Sequence, residues 1–347
     1  MGVIGAAVAG VSTAFAYTGG SLTPGRLTQA RVVDQFQKTF GRHPGFRRNH
    51  AKGVCFVGSF DSNGAGESLS KAEVFEPGRT QVFGRFALAG GQAYMADGPK
   101  AVRSMAINFT LRDGELWRTG INDIPVFPVR NVRGFYEQLV ASQPDPATGK
   151  PDPARMKAFL AAHPETARAM ALIKAQPKPS GFADATFNSL DAFRFISARG
   201  VSTPVRWSMV PEDPFQPQTP TSAKPKDPNY LFDGLANRLK RGPARWRLVV
   251  TVGQRGDPTN DPTVPWPADR KHVEVGVLTV NQLVDETHGP CRDVTFDPLI
   301  LPNGISPSDD PVLSARSAAY SQSFARRSGE PAPVPAVRIP SVQGERG

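Results

Sequence analysis

Apolar and polar residues alternate with a period of two along much of the chain, a pattern that predicts β-strands. The pattern covers residues 80–88, 101–109, 116–118, 192–196, 205–210, 246–252 and 272–280. The turn-forming residues 112–115 (RDGE) separate the second and third of these segments. Antiparallel strands are therefore expected, arranged as a sheet or a barrel.

Helical spacing of apolar residues interrupts the strands. It appears in residues 32–36, 131–143, 152–176 with a break at Pro164, and 229–241. A last helix is expected after Ser308-Asp309-Asp310-Pro311, with Asp310 as its N-cap and Pro311 in its first turn. Because strands occur on both sides of the helical segments, residues 26–328 are predicted to form one α+β domain.

The two ends of the chain differ from this domain. No charged residue precedes Arg26, and the apolar run 3–17 contains Ala14-Phe15-Ala16, which resembles a signal-peptide cleavage site. Residues 1–25 are predicted to be a signal peptide or an N-terminal membrane anchor, which places the protein in the periplasm or facing it. An apolar helix packed on the domain is the alternative, and a cytoplasmic location would follow. Residues 329–347 are rich in Pro, Ser and Gly and are predicted to be a frayed tail.

Composition limits the partners. The 347 residues are 39% hydrophobic and 21% charged, as in a globular protein, and carry a net charge of +10. An anionic partner is expected, but zinc-finger, helix-turn-helix and RNA-binding patterns are missing, so nucleic acid is not favoured. Cys55 and Cys291 lie far apart in sequence and are interpreted as buried thiols, with a single disulfide bridge left open.

One histidine lies between a cationic cluster and an apolar run. Residues 47–53 (RRNHAKG) place His50 directly before the apolar residues 54–58. Because the unperturbed pKa of histidine is near neutrality, a buried His50 can take and return a proton within one catalytic cycle. The alternative is a core histidine that is hydrogen-bonded to the backbone.

The last predicted helix carries a stripe of side chains with spacings of three and four. Its members are Leu313, Arg316, Tyr320, Phe324 and Arg327. Such a stripe is typical of core packing. A second interpretation is that the Arg316 cation stabilises Tyr320 as a phenolate, one of the few protein ligands of ferric haem.

Taken together, these motifs resemble the haem catalase superfamily over residues 27–327, and in particular the compact catalase-related peroxidases. Residues 47–53 resemble the distal histidine motif, residues 122–127 (NDIPVF) the distal asparagine segment, and Arg316-x-x-x-Tyr320 the proximal ligand helix. Residues 296–298 (FDP) and 302–308 (PNGISPS) resemble the stretch that leads into that helix.

The resemblance implies a catalase-like fold, an antiparallel β-barrel with surrounding helices, without the C-terminal helical domain of larger catalases. It implies haem b as cofactor, His50 as the distal acid and base, Asn122 as the residue that orients the peroxide, and Tyr320 as the axial iron ligand. By the same resemblance, Phe135 would pack near the porphyrin, Arg316 would keep Tyr320 ionised, and the propionates would face Arg47, Arg85 and Arg327.

Two positions depart from the larger catalases. Ala87 stands where they have a serine that hydrogen-bonds the distal histidine, so His50 is expected to lose an orienting partner. Asp191 stands where they have a histidine near the proximal arginine, and Asp191 and Asp310 are candidate carboxylates that hold Arg316 in place.

The resulting hypothesis is a peroxidase that reduces organic hydroperoxides, and hydrogen peroxide weakly, with a small-molecule electron donor and low catalase activity. One alternative is a lyase or isomerase that rearranges fatty-acid hydroperoxides. Another is a non-enzymatic haem-binding module. Monomer and dimer both stay open.

Overall fold

The computed structural model describes residues 17, 22–23, 25–218 and 227–339, which include ten β-strands and six α-helices. The strands are β1 (Gly53–Ser62), β2 (Gly78–Leu88), β3 (Arg103–Thr110), β4 (Leu116–Asn122), β5 (Phe187–Asn188), β6 (Phe193–Ile196), β7 (Ser202–Pro211), β8 (Ala244–Val252), β9 (His272–Val284) and β10 (Ile305–Pro307). The helices are α1 (Gln29–Phe40), α2 (Val132–Ala141), α3 (Pro153–Ala162), α4 (Pro164–Ala175), α5 (Tyr230–Leu239) and α6 (Pro311–Ser328).

The strands form an antiparallel barrel. Their order is β10-β6-β7-β5-β4-β3-β2-β1-β9-β8, and an additional pairing of β7 with β8 closes the sheet. Eight strands thus form the ring, while β6 and β10 extend it beside β7. The predicted α+β fold with an antiparallel barrel and surrounding helices is confirmed.

Aromatic side chains fill the inside of the barrel. Burial alternates along β8 and β9, as expected for strands with one face toward a core. Trp207 and Trp246 are at most 1% exposed. Their indole nitrogens donate hydrogen bonds to Thr119 Oγ1 at 3.1 Å and to the carbonyl of Ala185 at 3.2 Å. These bonds satisfy polar groups that would be costly to bury unpaired.

Helices α1, α2 and α6 lie together beside the barrel. Val32 and Phe36 of α1 form a small apolar cluster with Leu139 of α2, against which Phe135 packs. Asp310 caps α6, because its Oδ1 accepts a hydrogen bond from the Val312 amide at 2.9 Å. The predicted N-cap is therefore confirmed, and α6 begins where the sequence placed it.

The segment after α6 is packed on the domain as far as Ile339, unlike the predicted frayed tail. Glu330 accepts hydrogen bonds from the Gly45 amide at 2.7 Å and from Arg48 Nη2 at 2.6 Å. Val337 is fully buried in the main core. Residues 340–347, and most of the predicted signal segment 1–25, lie outside the described residues. Among those described, no helix has both the length and the apolar character needed to span a membrane.

Cys55 and Cys291 form a disulfide bond, with their Cα atoms 5.5 Å apart. Of the two interpretations left open by the sequence, the disulfide bridge is therefore correct and the pair of buried thiols is not. The sheet register explains why the two cysteines meet. Cys55 pairs with Val284 at the end of β9, and the following loop brings Cys291 back to β1. The bond links two positions separated by 236 residues.

Candidate active site

One cavity lies between the barrel and helices α1, α2 and α6. The cavity and its opening to solvent together enclose about 1270 Å³. All the residues predicted from the sequence to form the site line it, namely Arg47, His50, Arg85, Asn122, Phe135, Arg316, Tyr320 and Arg327. The structure thus brings the whole predicted set together, and the roles given to its members stay predictions.

The backbone of His50 is held in a strained conformation. Its φ of 53° lies in the left-handed region, which costs a residue with a Cβ atom about 1–2 kcal/mol. Asn49 Oδ1 accepts hydrogen bonds from the amides of His50 at 3.0 Å and Gly90 at 2.9 Å. Arg85 Nη1 donates to the His50 carbonyl at 2.6 Å. Asn49 therefore belongs to the site, although it was not predicted from the sequence as a site residue.

The His50 ring has a hydroxyl partner. Ser104 Oγ lies 3.0 Å from His50 Nδ1 and 2.5 Å from Asn122 Oδ1. Ser104 is on β3, directly opposite Ala87 on β2. The expectation that Ala87 leaves His50 without an orienting partner is wrong, because the facing strand supplies a serine at the paired position.

His50 is neutral at neutral pH. Burial, together with the nearby guanidinium groups of Arg85, Arg316 and Arg47, lowers the pKa of His50 to about 3. A neutral imidazole carries one N–H and one lone pair, so the ring can accept a proton from a ligand in the cavity.

Arg316 joins Tyr320 to a buried carboxylate. Arg316 Nη2 donates hydrogen bonds to the Gly120 carbonyl at 3.0 Å and to the Tyr320 hydroxyl oxygen at 3.4 Å. Its Nη1 is ion-paired with Asp191, whose side chain is fully buried. Burial works against this cation, but the Tyr320 oxygen and the Asp191 carboxylate raise the pKa of Arg316. A fixed positive charge therefore lies beside the Tyr320 oxygen.

Asp310, the other candidate carboxylate, does not bind Arg316. Within the described residues its only side-chain hydrogen bond is the helix cap to Val312. Burial and the negative charge of Asp191 raise the pKa of Asp310 to about 7. Of the two carboxylates weighed from the sequence, Asp191 alone forms the ion pair.

Three further arginines of the cavity gather around Glu286. Arg85 Nε donates to Glu286 at 2.9 Å, Arg47 is ion-paired with the same carboxylate, and Arg327 interacts with it electrostatically. Burial, together with repulsion from Arg85 and Arg327, lowers the pKa of Arg47 to about 9. Three guanidinium groups around one carboxylate leave an excess of two positive charges. Glu286 was not predicted from the sequence, and it lies in a turn-rich segment after β9.

These residues fit a haem group. An apolar cavity suits the porphyrin, the excess of two positive charges matches two propionates, and Tyr320 offers a phenolic oxygen beside a fixed cation. Tyr320 would hold the iron and the arginines would hold the carboxylates.

The chain belongs to the catalase family, whose model matches residues 13–340. It is accordingly an oxidoreductase that acts on peroxide. Among its relatives are the catalase-related peroxidases of Synechococcus elongatus, 36% identical over 87% of this chain and 89% of the relative, and of Mycolicibacterium paratuberculosis, 33% identical over 88% and 96%. The chain is therefore a catalase-family peroxidase.

Solved catalase structures share the fold. A bacterial catalase superposes with a TM-score of 0.72 at 21% sequence identity, over 86% of this chain and 61% of that one. Catalase A from Saccharomyces cerevisiae gives a TM-score of 0.71 at 20% identity, over 82% and 62%. The chain thus spans about three fifths of the length of these catalases.

Proposed function

We propose that this protein is a haem b-dependent peroxidase that reduces organic hydroperoxides to alcohols with a small-molecule electron donor. The reaction breaks the O–O bond of the hydroperoxide. Overall, the hydroperoxide takes up two electrons from the donor and two protons, and it yields one alcohol and one water. The observation that carries the proposal is a single cavity lined by His50, hydrogen-bonded through Ser104 to Asn122, and by Tyr320, hydrogen-bonded to Arg316.

His50 would move the proton. Its neutral imidazole takes a proton from the inner oxygen of the hydroperoxide and returns it to the departing oxygen, which then leaves as the alcohol. The lowered pKa of His50 supports this role, because a protonated ring could not start the reaction as a base.

Asn122 and the Arg316–Tyr320 pair would position the reactants. The amide nitrogen of Asn122 offers a neutral hydrogen-bond donor to the peroxide. Arg316 stabilises negative charge on the Tyr320 oxygen, and that charge suits a ligand of ferric iron. Bound haem would supply the redox-active iron at which the O–O bond is broken.

The apolar walls of the cavity support the proposal of an organic rather than an inorganic peroxide as substrate. Val32, Val33 and Phe36 of α1 line it together with Phe127 and Phe135. Contact with an alkyl or aryl group would remove apolar surface from water, at about 25 cal/mol per Å² buried, and hydrogen peroxide has no such group.

The test is haem reconstitution of the purified chain, followed by turnover on cumene hydroperoxide and on hydrogen peroxide with a phenolic donor. We expect a haem absorption spectrum and a higher kcat/KM for cumene hydroperoxide than for hydrogen peroxide.

Tyr320→Phe should abolish stable haem incorporation, while Tyr136→Phe, a change outside the cavity lining, should not. A Tyr320→Phe protein with the wild-type spectrum and activity would overturn the ligand assignment. Recovery of an allene oxide in place of an alcohol would instead show hydroperoxide rearrangement.

We also propose that the protein works outside the cytoplasm, in the periplasm or anchored facing it. The Cys55–Cys291 bond supports this location, since disulfides persist mainly in oxidising compartments. Fractionation of cells that express the full chain, with thiol labelling of each fraction, tests it. Recovery of the protein in the cytoplasm with both thiols reduced would contradict the proposal.

A further inference from the structure

Ser104 holds a central position in the cavity, because its hydroxyl is the link between the two distal residues. It lies 3.0 Å from His50 Nδ1 and 2.5 Å from Asn122 Oδ1. Within the described residues, neither His50 Nε2 nor Asn122 Nδ2 has a protein partner. Each distal side chain is thus anchored to Ser104 at one atom, and its other polar atom is left for a ligand.

The hydrogen atoms of this link can be assigned from chemistry. A serine hydroxyl has one hydrogen to donate, and the amide oxygen of asparagine can only accept. Ser104 therefore donates to Asn122 Oδ1 and has no hydrogen left for His50. Since His50 is neutral, its Nδ1 must carry the proton and donate to Ser104 Oγ, which leaves the lone pair on Nε2.

Resting on the proposed function, we infer that Ser104 is a positioning residue that fixes His50 as the Nδ1–H tautomer and turns the Asn122 amide nitrogen toward the peroxide. The Ser104 hydroxyl thus orients both the base, His50, and the hydrogen-bond donor, Asn122. A serine opposite Ala87 on the neighbouring strand carries the role that the sequence predicted to be missing at Ala87 itself.

The tautomer is tested directly by ¹⁵N NMR of histidine-labelled full chain, both haem-free and filled with diamagnetic zinc protoporphyrin. We expect the Nδ1–H form of His50 in the wild type and in Ser104→Thr, which keeps a hydroxyl. In Ser104→Ala the two tautomers should mix. An Nε2–H form in the wild type, or an unchanged Nδ1–H form in Ser104→Ala, would overturn the inference.

The kinetic consequence is measured on the haem-loaded protein. We expect Ser104→Ala to lower kcat/KM for cumene hydroperoxide by about 10–100-fold, the usual effect of removing a group that orients a reactive residue. The double variant Ala87→Ser/Ser104→Ala moves the hydroxyl to the facing position and should recover part of the loss. Equal activity of Ser104→Ala and wild type would contradict the inference.

Ser208→Ala is the matched control. Ser208 Oγ donates to Asn188 Oδ1 at 2.7 Å, a bond of the same kind, but neither residue lines the cavity. This variant should keep both the tautomer and kcat/KM. The NMR result does not depend on turnover, so a wild type that shows the Nδ1–H form but reduces no hydroperoxide would refute the proposed function and leave the tautomer assignment standing.

Discussion

Asp191 forms an ion pair with Arg316 in the protein interior, where the side chain of Asp191 is fully buried and that of Arg316 is 13% exposed. Removing one member of such a pair leaves an uncompensated charge away from water, which is strongly destabilising. Asp191 therefore stabilises the cation that faces Tyr320, and the fold depends on the pair.

We expect Asp191→Asn to lower the free energy of unfolding by about 3–5 kcal/mol, because Arg316 loses its counter-charge. Urea unfolding of the haem-free full chain measures the change. Asp61→Asn is the control, since its pair with Arg79 is exposed and should contribute under about 1 kcal/mol. Similar losses of unfolding free energy in the two variants would show that the buried Asp191–Arg316 pair contributes no more to stability than the exposed pair.

Replacing Glu286 with Gln should destabilise the haem-free protein and increase the stabilisation that haem provides. The variant leaves Arg47, Arg85 and Arg327 without their shared carboxylate, at a cost of about 3 kcal/mol. The propionates of haem would restore negative charge, so the rise in Tm on haem addition should exceed that of the wild type. Glu274→Gln, whose partner Arg247 is exposed, should match the wild type. A smaller rise for Glu286→Gln would argue against propionates at this cluster.

His50 should make the protein less stable in acid. Between the ordinary pKa of 6.5 and the folded value of about 3, the unfolded chain binds a proton at His50 that the folded protein does not. The free energy of unfolding therefore falls as the pH falls through this range, by up to about 1.4 kcal/mol per pH unit from this residue.

Denaturant unfolding from pH 7 to pH 4 tests this effect in His50→Gln, which should lose less stability in acid than the wild type. His163→Gln should instead lose more stability in acid than the wild type. Although burial disfavours its charge, hydrogen bonds to Glu165 and Glu137 raise the pKa of His163, so it stabilises the fold at low pH and this contribution disappears as the pH rises. Parallel curves for wild type and His50→Gln would contradict the burial of a neutral His50.

The Cys55–Cys291 bond should contribute strongly to stability. It closes a loop of 236 residues, for which the chain-entropy estimate is about 5 kcal/mol. Cys55→Ala/Cys291→Ala should unfold at lower denaturant concentration by a corresponding amount, and wild type treated with dithiothreitol should move in the same direction. A loss under about 1 kcal/mol would show that other contacts hold these segments together equally well.

Most of the strands and helices could be predicted from the sequence because their periodicity is local, although β1, β5 and β10 lie outside the predicted strand segments. The Arg316–Tyr320 spacing on α6 and the N-cap at Asp310 are also local features, and both appear as expected. The eight site residues were found through the family resemblance, which combines motifs from distant parts of the chain.

What the sequence did not reveal depends on contacts between distant residues. Ser104 became a partner of His50 through the register of β2 and β3, which a single sequence does not specify. Glu286 meets Arg47 across 239 residues. The proline-rich composition after residue 329 indicated a tail, but the buried Val337 and the hydrogen-bonded Glu330 hold it against the domain.

Closure of the barrel also sets when the active site forms during synthesis. Val57, close after His50, pairs with Gln282 of β9, and Tyr320 follows later still on α6. At about 5–20 residues per second, the ribosome reaches these partners only tens of seconds after it has made His50. Pairings of such long range also form slowly. The cavity therefore cannot be complete until helix α6, which carries Tyr320, has been synthesised.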